Sequence, residues 1–171
     1  ELARAVAARQ AAPVADCLRL AIPQRHARAE REFFDDPPSF GAPKVLDDAP
    51  WSAYIGGPEF ATEVRAGSHP SAAVQMRARD RVHHLLPFLL SAVREAGESV
   101  LIVVPTPTIA RQLAADVERL VGETPALMLS QDEHATRYRT FLAVLTGRAR
   151  IVVGTRAAAW TLFIADTMSG W

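Results

Sequence analysis

Residues 74–84 read VQMRARDRVHH and hold three arginines, Arg77, Arg79 and Arg81, between a stretch of strand character (71–76) and a helical pattern that starts at Val82. Strand-to-helix junctions in α/β proteins are where phosphates dock, because the first helical amides are unbonded and carry the positive end of the helix dipole. Two more strand ends point to the same chemistry. Pro105 and Thr106 follow the apolar run SVLIVV, and Gly154, Thr155 and Arg156 follow RIVV. Small hydroxyl side chains and free backbone N–H groups at such ends can hold phosphate oxygens. A threonine there is also the ordinary cap of the next helix. Gln112 lies on the helix that follows Thr106, and Arg148 and Arg150 precede the second strand end. Residues 134–165 contain no acid. One acid, Asp166, closes the final apolar run LFIAD.

Other constellations carry less. His83 and His84 are adjacent, so on a helix they point about 100° apart and cannot share a metal face. Tyr138 and Phe141, beside Arg137 and Arg139, could stack on bases, but their three-residue spacing on a helix is that of core residues. No serine–histidine–acid arrangement stands out. Cys17 is the only cysteine, which excludes an internal disulfide and a cysteine zinc cluster.

These residues must be positioned by one ordinary core, the most that 171 residues can bury besides a small appendage. The hydrophobic share of 49% and charged share of 22% are those of a globular protein, and a formal net charge of zero excludes a polycation. No secretory signal and no apolar run of about 20 residues is present, so a cytoplasmic protein without a membrane partner is expected. Charge is uneven. Residues 30–63 hold eight acids against Arg31 and Lys44, while 134–165 is basic, which suggests two surfaces with different partners or two solvated faces.

Along the chain, 1–22 shows helical spacing (Leu2, Val6, Val14, Leu18, Ile22) with a break at Pro13, and it opens without methionine or cap, as a fragment does. Six prolines and three glycines within 23–58 read as a linker or irregular segment. The expected division is 1–30, a helical remnant; 31–58, a Pro-rich acidic linker; and 59–171, an α/β unit. That unit alternates strands (71–76, 99–105, 126–130, 149–155 and a possible fifth at 162–166) with helices (82–97, 106–122, 132–147). Ile109, Leu113, Val117 and Leu120 form one apolar helix face, Asp132 and Glu133 sit at a positive helix start, and Gly97 and Gly147 act as stops. Such alternation gives a parallel sheet flanked by helices, with right-handed crossovers.

The order of the strand-end motifs resembles the first RecA-like lobe of superfamily 2 helicases. VVPTPTIARQL is similar to their motif Ia and IVVGTR to their motif Ic, both of which touch the backbone of a single nucleic-acid strand in that family. RYRTFLAVLTGRARIVVGTRAAAW and the early PVADCLRLAIPQRHARAE resemble, more narrowly, the replication-restart primosomal proteins N′, in their helicase-deficient actinobacterial subgroup. The resemblance implies a RecA-like lobe preceded by the end of an N-terminal DNA-binding domain. It also implies ATP and magnesium as family cofactors, and zinc bound outside this stretch. Implied partners are single-stranded or forked DNA, single-strand-binding proteins and other primosome proteins. Implied DNA contacts are Pro105, Thr106, Gln112, Arg148, Arg150, Gly154, Thr155 and Arg156.

Two departures bear on activity. The active family has Gly-x-x-x-x-Gly-Lys-Ser/Thr after the strand at 71–76, but no glycine stands between Gly67 and Gly97, and the only lysine is Lys44. The family's Asp-Glu pair would fall at Asp166, which is followed by Thr167. The expectation is therefore a DNA-binding assembly protein with a degenerate nucleotide or anion site (Arg77, Arg79, Arg81, Asp166), no catalytic residue, no metal and no cofactor of its own. The alternatives are an active helicase with an arginine-based phosphate site, and a scaffold whose lobe binds no DNA.

Overall fold

The structure, a computed structural model, describes residues 2–36, 47–76, 82–156 and 158–159. It is a mixed α/β fold. Its sheet has three parallel strands, β1 (Val100–Val103), β2 (Ala126–Met128) and β3 (Ile151–Gly154), in the order β1-β3-β2. Seven helices accompany them among the described residues: α1 (Leu2–Gln10), α2 (Val14–Ala21), α3 (Ala27–Asp35), α4 (Gly57–Arg65), α5 (Val82–Glu95), α6 (Pro107–Val121) and α7 (His134–Leu145), with a short 3-10 turn over Ala49–Ala53.

The central strand sets the layers. All four residues of β3 are buried. Successive strand side chains point to opposite faces, so Val152 joins Tyr138, Phe141 and Leu142 of α7, while Ile151 and Val153 join Leu90 of α5 and Ala110, Leu113 and Val117 of α6. Burying each of the valine, leucine and isoleucine side chains among them contributes about 1.5–3 kcal/mol. On the α7 side a second layer follows: α3 lies against α7 and puts Phe33 into the same cluster. A third cluster joins Trp51, Ala61, Leu85 and Phe88, with the Trp51 indole N–H donating to the Leu85 carbonyl at 3.2 Å.

Several expectations are met. The helices on either side of Pro13, the helices of the α/β unit and the strands within 99–105, 126–130 and 149–155 are all present. Tyr138 and Phe141 are core residues. Gly97, at φ +80°, ends α5 in a Schellman arrangement: its N–H donates to Arg94 O, and the Glu98 N–H to Val93 O.

Others need correction. Residues 71–76 form no strand, and 71–75 are exposed. Small alanines at 72 and 73 have little apolar surface to bury and little preference for a pleated sheet. β1 is only half-buried, and Val103 is 50% exposed. On α6 the buried stripe is Ala110, Leu113, Val117 and Val121, while Ile109 is exposed. The α1–α2 hairpin buries Ala7 and Cys17 and leaves Val14, Leu18 and Ile22 exposed. The segment read as irregular contains α3, the 3-10 turn and the start of α4. The fifth strand at 162–166 lies outside the described residues, as do Arg77, Arg79, Arg81 and Asp166. No described helix is long and apolar enough to cross a membrane.

Candidate functional site

The carboxyl ends of the three strands form one rim. β1 pairs with β3 so that Val103 stands beside Gly154, and the ladder continues one step further through Val104 N–H to the Gly154 carbonyl at 2.9 Å. Two motifs separated in sequence by about 50 residues therefore sit on adjacent strands. Pro105 and Thr106 leave β1, and Gly154, Thr155 and Arg156 leave β3.

Thr106 is the N-cap of α6. Its backbone is extended, and its Oγ1 accepts from the Ile109 N–H at 3.3 Å. That satisfies one of the free helical donors and leaves the hydroxyl proton available. Gly154 is required by packing: a Cβ there would collide with the Met128 carbonyl of the neighbouring strand and with Ala158 Cβ. Past it, the Thr155 carbonyl accepts from Ala158 N–H at 2.8 Å, so the chain turns sharply and Arg156 is exposed at the rim. Gln112 is exposed on the second turn of α6, about 9 Å along the axis from the cap at 1.5 Å per residue.

Two rim residues escaped the sequence reading. With its amide oxygen turned toward Arg111, Gln131 accepts from both guanidinium Nη atoms, at 2.9 and 3.3 Å. Gln131 follows β2, so the position rule that selected Thr106 and Thr155 would have found it had it been applied to the third strand. Arg111 was indistinguishable from the other arginines without the sheet order. The rim also holds acids. Asp132 Oδ2 accepts from Leu129 N–H at 3.1 Å, and Glu133 is exposed beside it. The rim is thus polar and mixed in charge, suited to modest anion binding.

Arg148 and Arg150 are elsewhere. They precede β3, at the opposite end of the sheet, and about five residues at 3.3 Å separate Arg150 from Thr155, roughly 16 Å. Arg150 donates from Nη1 to the Gly97 carbonyl at 2.7 Å and from Nε to the Gly147 carbonyl at 3.4 Å. The Arg148 guanidinium lies over the Phe33 ring, 5.5 Å from its centroid. The structure brings Pro105, Thr106, Gln112, Gly154, Thr155 and Arg156 to one end and leaves these two at the other. Among the described residues, no group of three or more His, Cys, Asp or Glu side chains could hold a metal ion.

No family model and no solved structure matches this chain. Curated proteins do. The chain is 38% identical, over 93% of its length, to the probable replication restart protein PriA of Mycobacterium tuberculosis and equally to that of Mycobacterium bovis. Against the protein of the same name from Mycobacterium leprae it is 34% identical, again over 93% of its length. The matched stretch covers 24–25% of those proteins, so the chain spans about a quarter of the length of the curated relatives it matches.

Proposed function

We propose, for a chain homologous to a segment of the replication restart proteins PriA, that it serves replication restart by holding DNA while other proteins assemble, without hydrolysing ATP. One observation carries the DNA reading. The register Val103 beside Gly154 puts a capping hydroxyl, a sharply turned backbone and an exposed arginine on neighbouring strands, all at the carboxyl rim. Ligands of open α/β sheets bind at that rim. A phosphate backbone passing across it would meet Thr106, Thr155 and Arg156, with Gln112 and Arg111 along the adjacent helix. Such contacts position a strand without reading its bases. With Asp132 and Glu133 nearby the affinity is modest, and it weakens as salt rises because counterions are released on association. Single-stranded or forked DNA is the proposed ligand, in the cytoplasm, with single-strand-binding and primosome proteins as further partners.

The absence of turnover is supported by the residues at 77–81. A phosphate cradle needs consecutive amides turned inward, which glycine at positive φ allows and Arg-Ala-Arg-Asp-Arg resists. Asp80 would repel the phosphates, no lysine is available nearby, and Thr167 follows Asp166 where the family has an acid. Three arginines can still hold an anion, but phosphoryl transfer also needs magnesium and a positioned water. The test uses the full-length protein, with labelled single-stranded and forked DNA followed by anisotropy and phosphate release from ATP followed in parallel. Salt-sensitive DNA binding without sequence preference and no turnover above background are expected. DNA-stimulated hydrolysis that disappears when Arg77, Arg79 and Arg81 become alanine would establish an arginine-based enzyme instead.

A further inference from the structure

The outer edge of β2 faces a groove of about 660 Å³ lined by Glu32, Phe33, Asp35 and Asp36 of the α3 end and by Thr136, Arg139 and Thr140 of α7. The hydrogen-bond pattern shows what that edge offers. Val100 N–H donates to Arg150 O and Val104 N–H to Gly154 O, so the even-numbered residues of β3 face β1. The odd-numbered ones face β2, and Val153 stands beside Leu127. In a parallel ladder Val153 then bonds to Ala126 and Met128, and the N–H and C=O of Leu127 point away from the sheet. The next outward donor, Leu129 N–H, is already taken by Asp132 Oδ2 at 3.1 Å. No other backbone group among the described residues bonds to Leu127. A donor and an acceptor, both of Leu127, therefore line the groove, the pair an added strand uses.

The walls state the charge of the guest. Asp35 ends α3 and Asp36 is its C-cap, at the negative end of the helix dipole, and the last turn has no basic residue. Glu32 is committed to Arg28 at 2.7 Å, which holds its carboxyl below the usual range, and Arg139 stands 3.8 Å from its other oxygen. The two aspartates form no ion pair among the described residues and gain from any cation brought into the groove.

We propose that this groove takes an extended, basic segment of a partner protein, which adds to the edge of β2 that no described strand covers, through the main chain of Leu127, and places Lys or Arg side chains against Asp35 and Asp36. This surface is separate from the carboxyl rim and does not depend on DNA binding.

The test is anisotropy of a short labelled peptide of alternating Lys and Val, and of its Glu-Val counterpart, with the full-length protein in the absence of DNA. The Lys-Val peptide is expected to bind and the Glu-Val peptide not to. Asp35→Asn with Asp36→Asn should weaken binding by about tenfold or more. Leu127→Pro removes the outward donor without removing a ladder bond, so it should weaken binding as well while leaving the circular dichroism unchanged. Should that variant unfold, the exposed aspartates still decide the matter. Equal binding of both peptides, no binding, or affinity indifferent to the aspartates overturns the proposal. So does binding that survives Leu127→Pro in a folded protein. Self-association of the chain that Leu127→Pro abolishes would assign the edge to a second copy and overturn it too.

Discussion

The two ends of the sheet hold arginines in different states. At the amino end the arginines are engaged. Arg150 binds the carbonyls of Gly97 and Gly147, and Arg94 binds Glu123 Oε2 at 3.0 Å and the Glu98 carbonyl at 2.9 Å. At the carboxyl end, Thr155 and Arg156 have no side-chain partner among the described residues. The difference follows from topology. In a parallel sheet each connecting helix starts at the carboxyl end and finishes at the amino end. Helix C-termini therefore crowd carbonyls at the amino end, where an arginine finds partners within the chain. Helix N-termini crowd amides at the carboxyl end, where carbonyls are scarce: Arg111 is held by the Gln131 side chain, and Arg156 is left for an anion from outside. Counting basic residues along 134–165 merges two populations that the fold separates.

The largest expected effect tests the amino end as a structural element. The Glu123 side chain is 2% exposed and that of Arg94 11%, so removing Glu123 leaves a largely buried guanidinium with only the Glu98 carbonyl as partner. Glu123→Ala should cost about 3–5 kcal/mol in chemical denaturation, and the double change Glu123→Leu with Arg94→Met much less. A loss below 1 kcal/mol for Glu123→Ala would show that water reaches the pair. Next comes Gly154→Ala, which forces a methyl against the Met128 carbonyl and Ala158 and should cost about 1–3 kcal/mol. That change belongs to the carboxyl end but reads as stability, since it spreads β3 from β2.

A direct contrast follows from two arginines. Arg156→Ala should lower DNA affinity about tenfold, roughly 1.4 kcal/mol, and reduce the salt slope by about one. Its melting temperature should not change, because the exposed side chain packs against nothing described. Arg150→Ala should do the reverse, costing about 1 kcal/mol of stability through two lost carbonyl contacts while leaving the salt slope alone. Equal affinity losses from both would merge the two ends into one electrostatic surface.

What the sequence disclosed depended on how many constraints met at each residue. The order of helices and strands from Val82 to Gly154 was legible because period, glycine stops and apolar runs agreed there. The stretch 71–76 was misread because one signal, a run with Val74 and Met76, stood against two alanines. The apolar face of α6 was legible at Leu113, Val117 and Leu120 but not at its first turn. Ile109 sits in the first turn, ahead of the sheet, and the small Ala110 makes the close approach that hydrophobicity alone does not flag. The rim was half legible. Thr106 and Thr155 announced themselves by following apolar runs, but their adjacency came from the order β1-β3-β2, which no local pattern carries, and the pairing of Arg111 with Gln131 came with it.

The smallest effect asks whether Thr106 is a cap, a phosphate ligand or both. Its Oγ1 accepts from Ile109 N–H, so Thr106→Ala should cost about 1 kcal/mol of stability whatever its role with DNA. Aspartate and asparagine separate the roles. Both keep an oxygen for Ile109 N–H, and both are good N-caps. Asparagine also keeps a donor for a phosphate oxygen, whereas aspartate offers none and adds a negative charge that the start of α6 tolerates. Stability should therefore stay near that of the parent protein in both variants. DNA affinity should hold in Thr106→Asn and fall several-fold in Thr106→Asp, with the gap closing as salt screens the added charge. The paired measurement is anisotropy at low and moderate salt beside thermal denaturation of the same samples. If Thr106→Asp binds DNA as the parent does at low salt, no phosphate passes the end of β1, and the carboxyl rim loses one of its two anchors.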